Sequence, residues 1–450
     1  MGFQQGLSGL NAASKSLDVI GNNISNANTV GFKAAQAQFA DVYANSLSGA
    51  GGTGVGIGVR VAGIVQQFTQ GNVTATNNPL DIAINGAGFF RMSNNGAISY
   101  TRNGQFQLDK NGAIVNAQGL GLTGYIADVN GILSTGSAVP LTINTADIAP
   151  KQTDKATALL NLDSRSAVPG SVAGVAPAVL KPFLITDPTT YNNATSISVF
   201  DSLGNSHVLQ TFYVKVDSTG VTLPARPPAA GGAGVTAQWD VFASVDGVLI
   251  TRAAVPPAPA NAMGTLNFNA FGQLLSTLPA IVTDPKALRI DIPVSSGAIT
   301  PISAPDIIFD LVGSTQFGSS FSVNSLKQDG FTSGKLTKFN TGKDGTIVGS
   351  YTNGKTSVLG QVALANFTNP NGLISSGDNQ WNESSTSGPS LVGPPTTGSF
   401  GALTSSATED SNTDLTGDLV NLITAQRIYQ ANAQTIKAQD QVLQTLVNLR

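Results

Sequence analysis

The sequence predicts a mainly β protein with a terminal α-helical coiled coil and nested discontinuous domains. Three observations carry this expectation. Apolar residues recur at every seventh position at both extreme ends. Between them, alternating apolar and polar runs are separated by Gly, Asn and Asp turns. One short pattern, Lys110-Asn111-Gly112-Ala113-Ile114-Val115, returns late as Lys343-Asp344-Gly345-Thr346-Ile347-Val348, so one domain is expected to be split and closed by a second stretch of chain.

At the C-terminal end Leu415, Leu422, Tyr429, Ile436 and Leu443 are spaced by seven, and Leu419, Ala433 and Val447 fall four residues after members of that row. No proline interrupts the segment. Asp414 suits the N-cap, Asp418 the first turn, and Arg450 complements the macrodipole at the far end. At the N-terminal end Phe3, Leu10, Leu17 and Ile24 repeat at the same spacing beside Leu7, Ala13 and Ile20. The two helices are expected to pair with each other rather than to dock separately on a globular core. The outer face of the second carries Gln426, Gln430, Asn432, Gln434, Gln439, Gln441, Gln444 and Asn448, where a solvated helix usually has Lys and Glu pairs. Amides can be buried against neighbours at the cost of a hydrogen bond, whereas stranding one charge of a pair costs about 3 to 5 kcal/mol. Such a helix suits packing against copies of itself.

In chain order, the first helix should end in the run Asn22 to Asn28, whose side chains compete for backbone hydrogen bonds. Ala34 to Leu47 reads as a short helix, Gly49 to Gly58 as a glycine-rich tract, and Val59 to Phe68 as a strand. From Asn77 the turn residues thicken, and Asn103-Gly104 and Asn111-Gly112 read as two-residue hairpin turns. A long insertion follows, with hairpins through Asp201 to Asn205 and through Asp246-Gly247, and with exposed loops at Pro224 to Gly234 and Val255 to Ala262. The expected domains are thus paired helices over 1–30 and 413–450, an extended arm over 31–70 and 400–412, a β domain over 71–145 and 328–399, and an inserted outer β domain over 146–327. Nesting of this kind implies a rod-shaped molecule.

Composition excludes several functions. Charged residues make up 11% of the 450, against about 25% in ordinary soluble proteins, and the net charge is -3. Neither nucleic acid nor an anionic membrane is an expected partner, since both select a basic face. With no cysteine and a single histidine, His207, neither thiolate nor multi-histidine metal centres can be built. There is no secretory signal pattern and no apolar run long enough to cross a bilayer, and Gly6 stands where a myristoylation motif wants Ser or Thr.

Enzyme motifs fail on their own requirements. Gly119, Gly121 and Gly124 match a dinucleotide spacing, but Tyr125-Ile126-Ala127 does not open a helix. Gly330 to Lys335 is one residue short of a phosphate loop and continues into Leu336, where a metal-holding Ser or Thr is required. His207 reads as an exposed turn residue with no nucleophile near it, and Asp306 and Asp310 flank Ile307-Ile308-Phe309 as strand caps rather than as a glycosidase pair. No enzyme activity and no cofactor is expected.

Motifs in three regions of the chain are more specific. The run from Asn22 through Asn26, Thr29, Gly31, Phe32 and Lys33 resembles the N-terminal signature of the bacterial flagellar axial proteins, the rod and hook family. Asn78-Pro79-Leu80-Asp81 with Gly86, Gly88, Phe89 and Phe90, and Tyr100-Thr101-Arg102-Asn103-Gly104-Gln105-Phe106, are similar to that family's β domain. Asn412-Thr413-Asp414-Leu415, Ala425-Gln426-Arg427 and Tyr429 to Ala433 resemble its closing helix. The large insertion and its hairpin Val199 to Asn205 favour the hook branch over the distal rod; a secreted adhesin or glycan-acting enzyme would share the composition but has no use for heptads at both ends. The resemblance implies a curved, tubular helical homopolymer outside the cell, with the terminal helices as its inner wall, joining rod to filament as a universal joint. It also implies contacts with the distal rod protein, the hook cap protein, the hook-filament junction protein and the flagellar type III export apparatus.

Overall fold

In the computed structural model the described residues are 2–42, 56–128, 131–134, 136–169, 182–216, 235–250, 261–278, 286–290 and 307–448. The chain divides into two compact units, Met1–Ala146 with Leu336–Arg450, and Asp147–Lys335.

The first unit begins with α1, Gly2–Ser25, and closes with α2, Leu415–Asn448. As the sequence demands, Asp414 caps α2: its Oδ1 accepts the backbone N–H groups of Thr416 and Gly417 at 3.1 Å each. Asp418 lies in the first turn. Arg450 is outside the described residues. The end of α1 frays as expected, with the Ser25 hydroxyl and Asn26 amide donating to the carbonyls of Gly21 and Asn22.

The two helices run antiparallel. Gly6 lies against Ile436 and Thr435, Gly9 against Asn432, and at the opposite end Asn23 hydrogen-bonds Asp418. A Cβ on Gly9 would stand 2.8 Å from the Asn432 amide, so the backbones approach closely only because glycine is there.

Ala34 to Leu47 is not helical as far as it is described. Ala35–Val42 forms a strand, β1, paired antiparallel with β2, Gly58–Gln66, through a bulge at Gln38/Phe39. Alternation of small and larger side chains had the helix periods to compete with, and pairing to β2 decided the outcome. The hairpin lies along α1: Asn23 exchanges two 2.9 Å hydrogen bonds with the Ala35 backbone, and the Gln5 amide donates to the Gly56 carbonyl at 2.6 Å.

Beyond it, β3 (Val73–Ala75) pairs with Ala407–Glu409 and β4 (Ile82–Asn85) with Ala402–Ser405. The remainder forms a sheet of 13 strands among the described residues, whose central path includes β5 (Phe89–Asn94) beside Ala97–Thr101 and Gly121–Ile126. Both copies of the echoed Lys-Asx-Gly pattern enter this sheet, at Ile114–Val115 and Thr346–Tyr351. Its core gathers Ile82, Ile84, Phe90, Met92, Leu122 and Val362. A second, aromatic cluster joins Phe89, Tyr100, Phe367 and Trp381 to Phe68.

Two turn readings separate. Asn111-Gly112 sits in a hairpin, with Asp109 Oδ1 accepting from Asn111 and Ala113 and Gly112 at φ +79°. Asn103-Gly104 is no hairpin. The Gly104 carbonyl accepts from the Ile82 backbone, and a side chain at 104 would overlap the Ile82 carbonyl oxygen, so the glycine permits a close crossing of two chain segments.

The second unit is a sandwich. Lys155–Asp163, Ala287–Ile290, Ile307–Asp310, Thr315–Phe317 and Ser322–Gln328 form one sheet, and a six-stranded sheet includes Asn193–Phe200, Ser206–Val216, Val235–Val245 and Ala262–Asn269. Leu160, Tyr213, Trp239, Leu266, Leu288 and Phe309 share the core between them. Both expected hairpins are present. The tract Pro224 to Gly234 and most of Val255 to Ala262 lie outside the described residues.

Candidate assembly site

The residues singled out in the sequence fall into two groups, the terminal helices and the segment where they meet the β strands. On α2 the position repeat that faces α1 runs through Asp418, Leu422, Ala425, Asn432 and Ile436, which are buried or half-buried. Within the chain the seam is therefore narrower and more polar than the apolar rows suggest. Leu415, Leu419, Tyr429 and Leu443 are exposed, Leu443 by 54%. Val447 lies in the last turn of α2.

On α1 the fully buried positions are small: Gly6, Ala12, Ala13 and Val19, with Asn23. Leu10, Leu17, Ile20 and Ile24 are half-buried, while Phe3 and Leu7 are exposed by 47% and 45%. Close approach of helices selects small side chains, so the larger apolar residues are turned outward. Periodicity revealed the helices but not which stripe a β hairpin and a partner helix would claim.

The second group closes around Glu409. Its Oε1 accepts from Lys33 Nζ at 2.6 Å and from the Gly71 backbone at 3.0 Å, and its Oε2 accepts from Arg102 at 3.1 Å. Lys33 also donates to the Thr69 carbonyl at 2.7 Å, and Arg102 to the Gly86 carbonyl at 2.9 Å while lying over the Phe89 ring. All three charges are buried, with 1% of Lys33, 4% of Arg102 and none of Glu409 exposed. Burial holds the Lys33 ammonium below the ordinary lysine range, against the pull of Glu409. Two cations share one anion, so Glu409 is the member the cluster cannot lose.

The motif residues support this cluster. Gly31, at φ +72°, donates its N–H to the Glu409 carbonyl at 2.7 Å, and a Cβ there would stand 2.6 Å from the Arg102 carbonyl carbon. Asn26 accepts from the Thr29 hydroxyl, and Phe32 donates its N–H back to Thr29, shaping the turn before Lys33. Asn78 bonds Asp81 and the Leu80 N–H, Pro79 accepts from Ser405, and the Asp81 carbonyl accepts from Ala407. Gly86 and Gly88 both hold positive φ, and Phe89 and Phe90 point into different cores. Asn412 ties the return strand to the arm, accepting from Ala34 and donating to Gln67.

Glu409 was missed in the sequence. A signal existed: the chain has only two glutamates, Glu383 and Glu409. In a protein this poor in charge a rare carboxylate is a candidate for a buried partner.

The enzyme-like motifs resolve as structure. Gly121 and Gly124 belong to a strand, and Phe331 and Gly334 pair with Lys151 and Ile148. Asp310 pairs with Lys155 at 2.9 Å, while Asp306 is outside the described residues. His207 is not an exposed turn residue: its Nδ1 lies 2.7 Å from Asp246 and its Nε2 3.5 Å from Asp201, on two neighbouring turns. These carboxylates raise its pKa, that of Asp246 foremost.

Comparison with known proteins agrees with this layout. The chain is 40% identical to the flagellar hook protein FlgE of Salmonella typhimurium and to that of Escherichia coli, covering all of both chains in each case. It belongs to the flagellar hook protein family. The hook protein of Borreliella burgdorferi is 32% identical over 99% of this chain and 98% of its own. Family models described as flagella basal body rod protein, flagellar hook protein FlgE/F/G D1 domain, flagellar basal body protein FlaE D2 domain and flagellar basal body rod FlgEFG protein C-terminal match residues 3–33, 83–150, 161–331 and 404–449. The crystal structure of the Helicobacter pylori hook protein FlgE2 shares the fold at a TM-score of 0.50 and 12% identity, over 76% of this chain and 99% of that one. In this hook-family chain the first and last matched segments are the ones that meet at Lys33 and Glu409.

Proposed function

We propose that this chain, a structural subunit of the flagellar hook, polymerises with copies of itself into a curved tube outside the cell that carries torque from rod to filament as a universal joint. The role is mechanical, not catalytic. The paired helices would line the tube, and the sandwich unit would supply the outer, yielding contacts. Export unfolded through the flagellar type III apparatus, growth beneath a hook cap, and junctions with distal rod and hook-filament proteins belong to the same reading.

The observation that carries it is the outward display of apolar side chains on the terminal helices. Phe3, Leu7, Leu415, Leu419, Val420, Ile423 and Leu443 are all exposed on a pair whose mutual contacts are made by other side chains. Single exposed apolar residues are ordinary, but a run of them on two adjoining helices marks an interaction surface. Removing 415–450 should leave both β units folded and abolish polymerisation. Tubes seen by electron microscopy after that truncation would sink the proposal.

A further inference from the structure

Between the first turns of α2, the second half of α1 and the start of β1 lies a groove of about 480 Å³. Val19, Ile20, Ala37 and Ile428 line its sides, and Asp414 and Asp418 stand at one end. Among the described residues the Asp418 carboxylate takes side-chain hydrogen bonds from the amides of Asn421 and Asn23, and burial pushes its pKa up. No cation of the same chain reaches it among the described residues.

The other side of α2 carries the complementary set. Val420 and Ile423 are exposed by 60% and 51%, and Arg427 follows one turn on. Residues at i, i+3 and i+7 share one helical stripe, so the three form a ridge of two apolar side chains leading to a guanidinium. Arg427 makes no ion pair and no side-chain hydrogen bond among the described residues. An uncompensated arginine beside apolar side chains matches a groove with apolar walls and two carboxylates at its end, and a guanidinium is suited to bridging carboxylates.

We propose that the groove of one copy receives the Val420, Ile423 and Arg427 ridge of a second copy of this chain, with Arg427 meeting Asp414 and Asp418. Groove and ridge lie on different sides of the same helix, so a copy engaged through its ridge keeps its groove open. Such a heterologous contact can repeat from copy to copy, and it builds an open helix wherever the rotation between copies does not close a ring. The inference rests on the polymer reading and names the charged contact within it.

A charge-exchange series tests it in seeded assembly of the full-length chain, with tube yield measured by sedimentation and electron microscopy. Asp418→Lys and Arg427→Glu should each lower the yield about tenfold, and the two combined should recover most of it. Arg427→Gln, at an exposed position in mid-helix, should show the same loss without a helix-terminus effect. Single variants that assemble like the unmodified chain, or a combined variant no better than the worse single one, overturn the inference while leaving the polymer reading in place. An unmodified chain that forms no tubes overturns both.

Discussion

Glu409 shows how one side chain can decide whether two distant stretches of chain belong together. Its two oxygens satisfy Lys33 and Arg102, and no other carboxylate contacts either cation among the described residues. Glu409→Gln keeps the shape and removes the charge, leaving two cations buried side by side. Unfolding free energy should fall by about 3–5 kcal/mol, measured by urea denaturation followed by the helical circular dichroism of α1 and α2; a loss under about 1 kcal/mol would mean the cluster is electrostatically slack. His207 makes a smaller but cleaner statement, because the chain has no second histidine. Its folded pKa is raised above the ordinary 6.5 by Asp246 and Asp201, so the stabilisation is complete below about that pH and is lost as pH rises through the folded value. The midpoint for the sandwich unit should therefore fall towards that of His207→Gln as the pH climbs above 6.5, and a difference that stays constant across the climb contradicts the bridge.

At the scale of elements, helices were legible and strand partners less so. Heptad spacing, the absence of proline and the Asp414 cap located α2 from sequence alone, and the turns at Asp201 to Asn205 and at Asp246-Gly247 located hairpins of the sandwich. What spacing could not resolve was orientation about the helix axis. Gly6 and Gly9 look like helix-weakening residues until Ile436 and Asn432 are seen against them, and β1 reads as helix until β2 is there to pair with it. Both depend on contacts far along the chain, which local propensity does not encode. On α2 the two views coincide at Leu422 and Ile436, large apolar members of the seven-residue row that are half-buried in the seam. Replacing both by Asp puts two unpaired charges between α1 and α2, and hooks should be absent by electron microscopy of a complemented null strain. A motile strain carrying both substitutions would show that the seam does not hold the polymer.

For the whole molecule, the division at Asp147 and Lys335 separates two folding units whose cores share no residue. The chain enters and leaves the second unit beside a bridge between Ile148 and Gly334, so 147–335 can be replaced by a short linker. The remaining protein should keep the helical circular dichroism of α1 and α2 and the buried environment of Trp381, by then its one tryptophan. Loss of the helical signal would mean the first unit cannot stand by itself. The polymer it forms should keep its wall and change its stiffness. The Lys33–Glu409 contact has a further consequence. Its members are 376 positions apart, and the helices beyond them cannot zip until that span has been brought together. On the export reading proposed above, a chain delivered from its first residue onward would hold its beginning in waiting until its end arrives, and the last segment to emerge would time its insertion.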